Sequence, residues 1–144
     1  MPADNNKWGI IFCPKSGTFK PHSKWEKVEK CLKEKGVSYD YVQSENSSSV
    51  NRLVGMMLNN GYKTLVIVGG DSALNEAVNC IMKAPKNIRD EVALGVIPNG
   101  LMNDFAHFWD IKDNDIEKCV DMICQRRVRK IDLGCIRYTN AKNE

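Results

Sequence analysis

The segment Thr64–Ala84 has the sequence Thr-Leu-Val-Ile-Val-Gly-Gly-Asp-Ser-Ala-Leu-Asn-Glu-Ala-Val-Asn-Cys-Ile-Met-Lys-Ala, and it decides the fold of the chain. Its residues Leu65–Val68 form an unbroken apolar run, rich in β-branched side chains, as is typical of a strand buried on both faces. Two glycines and an aspartate interrupt the run, and from Leu74 onward the apolar residues recur at helical spacing. The segment therefore predicts a strand, a tight glycine loop and a helix.

A loop of this kind lies at the carboxyl edge of a parallel sheet, where open α/β sheets bind their ligands. Glycine lets backbone N–H groups approach an anion, and the N-terminus of the following helix adds a partial positive charge. Gly69 and Gly70 are therefore candidate phosphate contacts, and Asp71 is a candidate for capping the helix or holding a metal. A purely structural turn is the alternative interpretation.

Two other apolar segments end in comparable loops. Trp8–Cys13 runs into Pro14–Thr18, which carries a lysine and two hydroxyl groups, and Val92–Ile97 runs into Pro98–Asp104. Because the carboxyl ends of parallel strands meet at one edge of a sheet, we expect the three loops to form one composite site.

The remaining elements follow from hydrophobic periodicity and from turn residues. The predicted helices are Ser23–Lys35, capped by Ser23 with Glu26 and stopped by Gly36; a helix carrying Val50 to Leu58 and ended by Asn59–Gly61; the short piece Phe105–Trp109; and an amphipathic helix from Asp113–Asp115 to Cys124. The other predicted strands are Ser38–Gln43, Lys130–Leu133 and Cys135–Tyr138, and Ala84–Glu91 is predicted to be a polar connection. The resulting order, βαβαβαβαβ, indicates a doubly wound α/β domain with a mostly parallel sheet and right-handed crossovers.

The composition is that of an ordinary globular domain. A chain of 144 residues with 42% hydrophobic and 27% charged residues suits one domain with a substantial core, and a net charge of +3 is too small to indicate nucleic acid. We find no apolar run near the roughly 20 residues that span a bilayer and no signal peptide at the start, so we expect a cytoplasmic protein. The cysteines are expected to be reduced and mainly buried. They are Cys13, Cys31, Cys80, Cys119, Cys124 and Cys135.

Taken together, the loops resemble the diacylglycerol kinase catalytic-domain family of lipid kinases, which extends to sphingosine and ceramide kinases. Cys13–Gly17 is similar to the family's Asn-Pro-x-Ser-Gly, and Gly69–Glu76 to Gly-Gly-Asp-Gly-Thr-Leu-Asn-Glu. Gly95–Ala106 is similar to Gly-x-Ile-Pro-x-Gly-Thr-Gly-Asn-Asp-Phe-Ala. Ile131–Gly134 looks like the Ile-Asp-Leu-Gly at which the family passes into its second domain.

The resemblance implies the nucleotide-binding half of an enzyme that transfers the γ-phosphoryl group of ATP, with Mg²⁺, to a lipid hydroxyl. It implies a first domain over residues 1–134, with 135–144 beginning a second, lipid-binding domain or a tail. The catalytic base is expected in that second domain, so no catalytic residue or metal ligand is assigned here. Matching the motifs position by position implies nucleotide contacts at Ser16, Gly17, Gly69, Gly70, Asp71, Ser72, Asn75, Glu76, Gly100, Asn103 and Asp104.

The chain departs from each of the first three motifs. Ser72-Ala73 stands for the family's Gly-Thr, Leu101-Met102 for Thr-Gly, and Cys13 for Asn. These changes remove small hydroxyl groups, and they place two bulky apolar side chains where the nucleotide is expected. A second hypothesis is therefore a catalytically degenerate relative that acts as a binding or regulatory module, using its Asp and Asn residues as caps and loop hydrogen-bonding groups.

Other functions fit the residues less well. NAD kinase shares Gly-Gly-Asp, but its Asn-Glu lies well downstream, whereas Asn75-Glu76 follows directly here. The basic run Arg126–Lys130 is more typical of a solvated helix end than of nucleic-acid binding. His22 and His107 are expected to be surface or packing residues. The expected partners are a nucleotide and, through the second domain, a lipid met in transient contact with a membrane surface; the oligomeric state stays open.

Overall fold

The computed structural model describes residues 6–14, 23–46, 48–113 and 115–139. Within them each strand is followed by one or two helices. The elements are β1 (Trp8–Phe12), α1 (Ser23–Glu34), β2 (Tyr39–Gln43), α2 (Ser49–Asn59), β3 (Thr64–Gly69), α3 (Asp71–Lys83), α4 (Lys86–Arg89), β4 (Ala93–Pro98), α5 (Asp104–Phe108) and α6 (Ile116–Cys124).

The strands form one parallel sheet in the order β2-β1-β3-β4. Register places Ile10 of β1 beside Tyr41 of β2 and Val66 of β3, and Val66 beside Gly95 of β4. The two central strands, β1 and β3, are buried along their whole length, whereas β2 is half exposed. This confirms the predicted parallel α/β architecture and the lesser burial of the second strand.

Helices cover both faces of the sheet, because successive side chains of a strand point to opposite sides. One apolar cluster joins α1 and α6 to Ile10, Val66 and Ile97. The other joins α2 and α3 to Ile11 and Ile67. Each of these strand side chains is fully buried, which stabilises the fold by about 1.5–3 kcal/mol per side chain. The doubly wound arrangement is thus confirmed.

Several predicted helix boundaries are also confirmed. Gly36 and Gly61 follow α1 and α2 with φ of 67° and 85°, a conformation that glycine adopts without a steric penalty. The carboxylate of Asp115 accepts a hydrogen bond of 3.0 Å from the backbone N of Lys118 and so caps α6. Ser23, predicted as an N-cap, is instead the first residue of α1.

The connection Ala84–Glu91 differs from its prediction, because it contains the short helix α4. Pro85 precedes this helix with φ of −54°, and Lys86 pairs with Asp90 one turn later. A proline restricted to this φ favours the start of a helix, and the ion pair spans its length.

The prediction of two further strands, Lys130–Leu133 and Cys135–Tyr138, is wrong. Residues 127–139 have no regular secondary structure and are exposed, with Ile136 and Tyr138 exposed to 87% and 82%. A strand needs a neighbouring strand to satisfy its backbone N–H and C=O groups, and no part of the chain that the structure describes pairs with this segment.

Among the described residues, none of the helices has the length and apolar character needed to cross a membrane.

Candidate functional site

The candidate site lies where the strand order changes direction. From β1 the chain passes to β2 on one side of it, and β3 lies on the other side, so the carboxyl ends of β1 and β3 flank a topological switch point. Cys13 follows β1 and donates its backbone N–H to the carbonyl of Val68 at 2.8 Å. The loops after β1 and β3 therefore begin side by side.

Asn99 joins the third loop to the other two. Its backbone N donates to the carbonyl of Gly69 at 2.8 Å, and its side-chain Nδ2 donates to the carbonyl of Cys13 at 2.9 Å. The side chain is largely buried, so both carbonyl groups exchange water for a protein donor. One residue thus holds the carboxyl ends of β1, β3 and β4 together, as expected for a composite site.

Gly70 and Gly100 bring the backbones of two loops into direct contact. A β-carbon on Gly70 would lie 2.8 Å from the Cα of Gly100, and a β-carbon on Gly100 would lie 2.5 Å from the Cα of Gly70. Both distances are far shorter than a carbon–carbon contact allows. Both positions therefore require glycine so that one loop can pack on the other. The sequence alone could not distinguish this structural requirement from a glycine that lets the backbone approach a phosphate.

Asn103 closes the loop that begins at Gly100. It has a left-handed backbone, with φ of 53° and ψ of 45°, which Asn tolerates better than most residues. Its Oδ1 accepts a hydrogen bond from the N of Gly100 at 2.8 Å, and its Nδ2 donates to the carbonyl of Gly100 at 3.2 Å. Because the side chain is buried and engaged in these bonds, it does not cap α5, although Asn103 occupies the N-cap position.

Asp71 does not cap its own helix, contrary to one of its two predicted roles. The N-cap of α3 is Gly70, without a side-chain hydrogen bond. The carboxylate of Asp71 instead accepts hydrogen bonds from the backbone N of Asp104 at 2.8 Å and of Phe105 at 3.1 Å. These are the first two amides of α5, so Asp71 supplies from a distance the cap that Asn103 does not give.

Lys24 is a residue at this edge that the sequence analysis missed. From the first turn of α1 its Nζ donates to the carbonyl of Pro98, at the end of β4, and to the carbonyl of Asp113 at 2.9 Å. It places a positive charge beside the loop that contains Asn99. No local pattern could have indicated this, because its two partners lie 74 and 89 residues away in the chain.

The other predicted nucleotide contacts are more scattered. Ser72, Asn75 and Asp104 are exposed, and Glu76 is partly buried on α3. Ser16 and Gly17, like His22, lie outside the described residues. The structure therefore brings together Gly69–Asp71 and Gly100–Asp104, and it leaves the first loop beyond Pro14 undescribed.

The substituted residues of the motifs fall into two groups. Leu101 and Met102 are exposed to 79% and 67%, so their apolar side chains lie in solvent at the rim of the site. Ala73 is buried, and Gly69 has Cys13 on one side and Ala73 on the other, within 3.1–3.2 Å of where its β-carbon would stand. Cys13 and Ala73, which stand where the motifs have Asn and Thr, thus border the same glycine, and they make its surroundings apolar. Burial raises the pKa of the Cys13 thiol, which keeps it in the neutral form.

Within the ranges that the structure describes, no cluster of three or more His, Cys, Asp or Glu side chains is arranged to hold a metal ion. Cys31 and Cys119 are buried as expected, whereas Cys124 and Cys135 are exposed, contrary to the expectation for most cysteines. His107, expected to be a surface or packing residue, is exposed, and its Nε2 lies 3.0 Å from the Oδ1 of Asp113. Both side chains are partly in solvent, which is typical of a surface contact.

Comparisons of the sequence with known proteins indicate one family. The sequence pattern of the diacylglycerol kinase catalytic domain matches residues 7–136. The chain is 33% identical over 132 residues to the diacylglycerol kinase of Staphylococcus carnosus (strain TM300) and 32% identical over 127 residues to that of Staphylococcus aureus (strain bovine RF122 / ET3-1). These alignments cover 87% of this chain but 39% and 38% of the relatives. The chain thus spans about two fifths of the length of the curated relatives it matches.

The solved structures give the same fold. A crystal structure of a diacylglycerol kinase from Bacillus anthracis str. Sterne superposes with a TM-score of 0.72 at 19% identity, covering 88% of this chain and 42% of that chain. At this identity the likeness shows a shared fold.

Proposed function

Because the chain belongs to the diacylglycerol kinase catalytic-domain family, we propose that it is the nucleotide-binding part of a lipid kinase that transfers the γ-phosphoryl group of ATP to the hydroxyl group of a diacylglycerol-like lipid. The observation that carries the proposal is the joining of three βα loops at the switch point by Asn99. Phosphoryl transfer requires positioning and charge neutralisation more than a protein nucleophile. Glycine-containing loops that are held together by hydrogen bonds suit the positioning of a phosphoryl group.

In this proposal the backbone of Gly69–Ser72 contacts the nucleotide phosphates, and Gly100, Asn103 and Asp104 supply the loop that faces them. The N-terminal half of α3, with Asn75 and Glu76, borders them, and Ser16 and Gly17 remain predicted contacts from the first loop. The N-terminus of α3 has no side-chain cap, so its amide groups are available to an anion. Mg²⁺ would come with ATP, since this ion is usually held by phosphates and one or two carboxylates.

The lipid acceptor and the catalytic base lie outside residues 1–134 in this proposal. Residues 135–144 would begin the second domain or a tail, in keeping with the share of the relatives that the chain spans. A lipid acceptor would be met at a membrane surface, so the complete protein would associate with membranes peripherally and transiently.

A binding or regulatory module without catalysis is the second candidate. It is favoured by four positions at which the family has a polar or small residue. They are occupied here by the exposed Leu101 and Met102 and by the apolar Cys13 and Ala73. Asp71 and Asn103 also make the cap and loop hydrogen bonds that this candidate expects.

Calorimetric titration of the chain with Mg·ATP tests the proposal. We expect saturable 1:1 binding, and tighter binding by the triple variant Ser72→Gly, Leu101→Thr, Met102→Gly, which restores small residues at exposed positions only. Met82→Thr, at a residue of α3 that is 48% exposed, is the matched control and should bind like the native chain. Binding by the triple variant alone would favour the module without catalysis. Absence of binding by both would contradict the nucleotide site.

A further inference from the structure

Asp71 stands where a carboxylate ordinarily stabilises its own helix, at the first residue of α3. Both of its oxygens are instead engaged elsewhere: Oδ2 accepts from Asp104 N at 2.8 Å and Oδ1 from Phe105 N at 3.1 Å. These amides are 33 and 34 residues further along the chain. One side chain therefore ties the loop after β3 to the helix that follows β4.

The loop that Asp71 holds is unusually constrained. It contains Asn103 in the left-handed region, which reverses the direction of the backbone just before α5. The side chain of Asn103 bonds both backbone groups of Gly100, and Gly100 in turn lies against Gly70. The two loops thus touch at the glycines, and Asp71 fastens them together at a second point.

We propose that Asp71 is a positioning residue, which fixes the backbone of residues 100–105 against the loop after β3. The two N–H groups point their positive ends at the carboxylate oxygens. Each oxygen accepts one of these bonds and keeps a further lone pair, so the two bonds hold the loop with or without a bound cation. The proposal rests on the proposed function only in that the positioned loop faces the predicted phosphate-binding loop Gly69–Ser72.

The first test needs no ligand. Amide hydrogen exchange, measured by NMR on the 144-residue chain, should be at least about tenfold faster at Asp104 and Phe105 in Asp71→Ala than in the native chain, because each loses a charge-assisted bond. Asp71→Asn keeps one acceptor oxygen, so one of the two amides should remain protected. Asp115→Ala removes a comparable cap from α6 and should leave exchange at residues 104 and 105 unchanged.

The second test adds Mg·ATP and separates positioning from metal binding. If Asp71 positions the loop, nucleotide affinity should fall in the order native, Asp71→Asn, Asp71→Ala, parallel to the loss of amide protection, with Asp115→Ala binding like the native chain. Equal loss of affinity in both Asp71 variants, with native exchange at residues 104 and 105, would identify a metal ligand and overturn the proposal.

The two proposals can fail separately. If the native chain does not bind nucleotide, the proposed function fails, while the exchange rates still decide whether Asp71 holds the loop. Native exchange rates at residues 104 and 105 in Asp71→Ala would overturn the positioning role, whatever the titration shows.

Discussion

At Gly70 and Gly100 two loops cross so closely that neither position has room for a β-carbon. At Asp71, Asn99 and Asn103 polar side chains hold the same crossing with hydrogen bonds to backbone groups. The residues that resemble the family's ligand-binding motifs thus have structural tasks that are visible without any ligand. At this scale the consequences can be tested by single substitutions.

Gly100→Ala should lower the free energy of unfolding by about 1–3 kcal/mol, because its β-carbon would lie 2.5 Å from the Cα of Gly70 and 2.8 Å from the Oδ1 of Asn103. Denaturant unfolding followed by circular dichroism measures the change. Gly134→Ala is the matched control, since a β-carbon there meets no described atom within 4 Å. Equal stability of the two variants would contradict the close crossing.

Lys24→Met should also destabilise the chain, by about 1–3 kcal/mol. It keeps the apolar length of the side chain but leaves the carbonyl groups of Pro98 and Asp113 without their charged donor. Lys27→Met, at an exposed position of the same helix, should change stability by less than about 0.5 kcal/mol. A thermal melt of both variants distinguishes them, and identical midpoints would show that Lys24 contributes nothing at this edge.

At the scale of elements, some helix N-termini are capped by a residue next to them in the sequence, and others by a residue far away in the sequence. The cap of α6 by Asp115 involves residues three apart and follows from the sequence pattern. The cap of α5 by Asp71 does not, because no propensity rule links positions 33 residues apart. A five-residue helix such as α5 has little stability of its own, so it depends on the distant cap.

The edge strand β2 is fixed by a comparable long-range bond, from the hydroxyl of Tyr62 to the carboxylate of Asp40. Together with Lys7 it lowers the pKa of Asp40, and the same bond raises the pKa of Tyr62 to about 12. A lowered carboxyl pKa stabilises the fold above the unfolded value near 4, and this contribution is lost as the pH falls through the folded pKa. The raised tyrosine pKa stabilises it below about pH 10, and that contribution is lost as the pH rises towards 12.

Tyr62→Phe should therefore lower the free energy of unfolding most at neutral pH, by up to about 1 kcal/mol since Asp40 is half exposed. The difference from the native chain should shrink at about pH 3 and again at about pH 11. Denaturant titrations at the three pH values measure it. Tyr41→Phe removes an exposed hydroxyl from β2 and should stay within about 0.5 kcal/mol of the native chain at pH 7. A difference for Tyr62→Phe that is constant across pH would contradict the coupling.

At the scale of the whole molecule, the sequence predicts the sheet well and its surroundings less well. The apolar run Leu65–Val68 and the spacing from Leu74 locate β3 and α3 to within a few residues, because burial and periodicity are local properties. Ile131 and Leu133 have the same apolar character, yet no strand forms there, since a strand also requires a partner. The contacts of Lys24, Asn99 and Asp71 join distant positions, and no single-sequence pattern contains that information.

The sheet and its helices are packed around a buried core, whereas residues 127–139 are exposed. This difference predicts where a protease cuts the chain. Trypsin should cleave first between residues 127 and 130, where basic side chains lie in an exposed segment without secondary structure, and should leave the region from α1 to α6 intact. Mass spectrometry of a brief digest at low enzyme concentration identifies the first products. Early cleavage within α1 or α2 would show that the sheet and its helices are less stable than their burial implies.

The crossing of Gly70 and Gly100 also turns the chain between them into a closed ring that contains α3, α4 and β4. Closing a ring costs entropy that grows only slowly with its length, so insertions within the ring should cost little more than their own local disruption. The contact that closes the ring is less tolerant than the ring itself. It is noncovalent, and at Gly70 and Gly100 it consists of backbone atoms alone. Engineering of this region is thus free to lengthen the ring, whereas any side chain added at Gly70 or Gly100 should destabilise the contact that closes it.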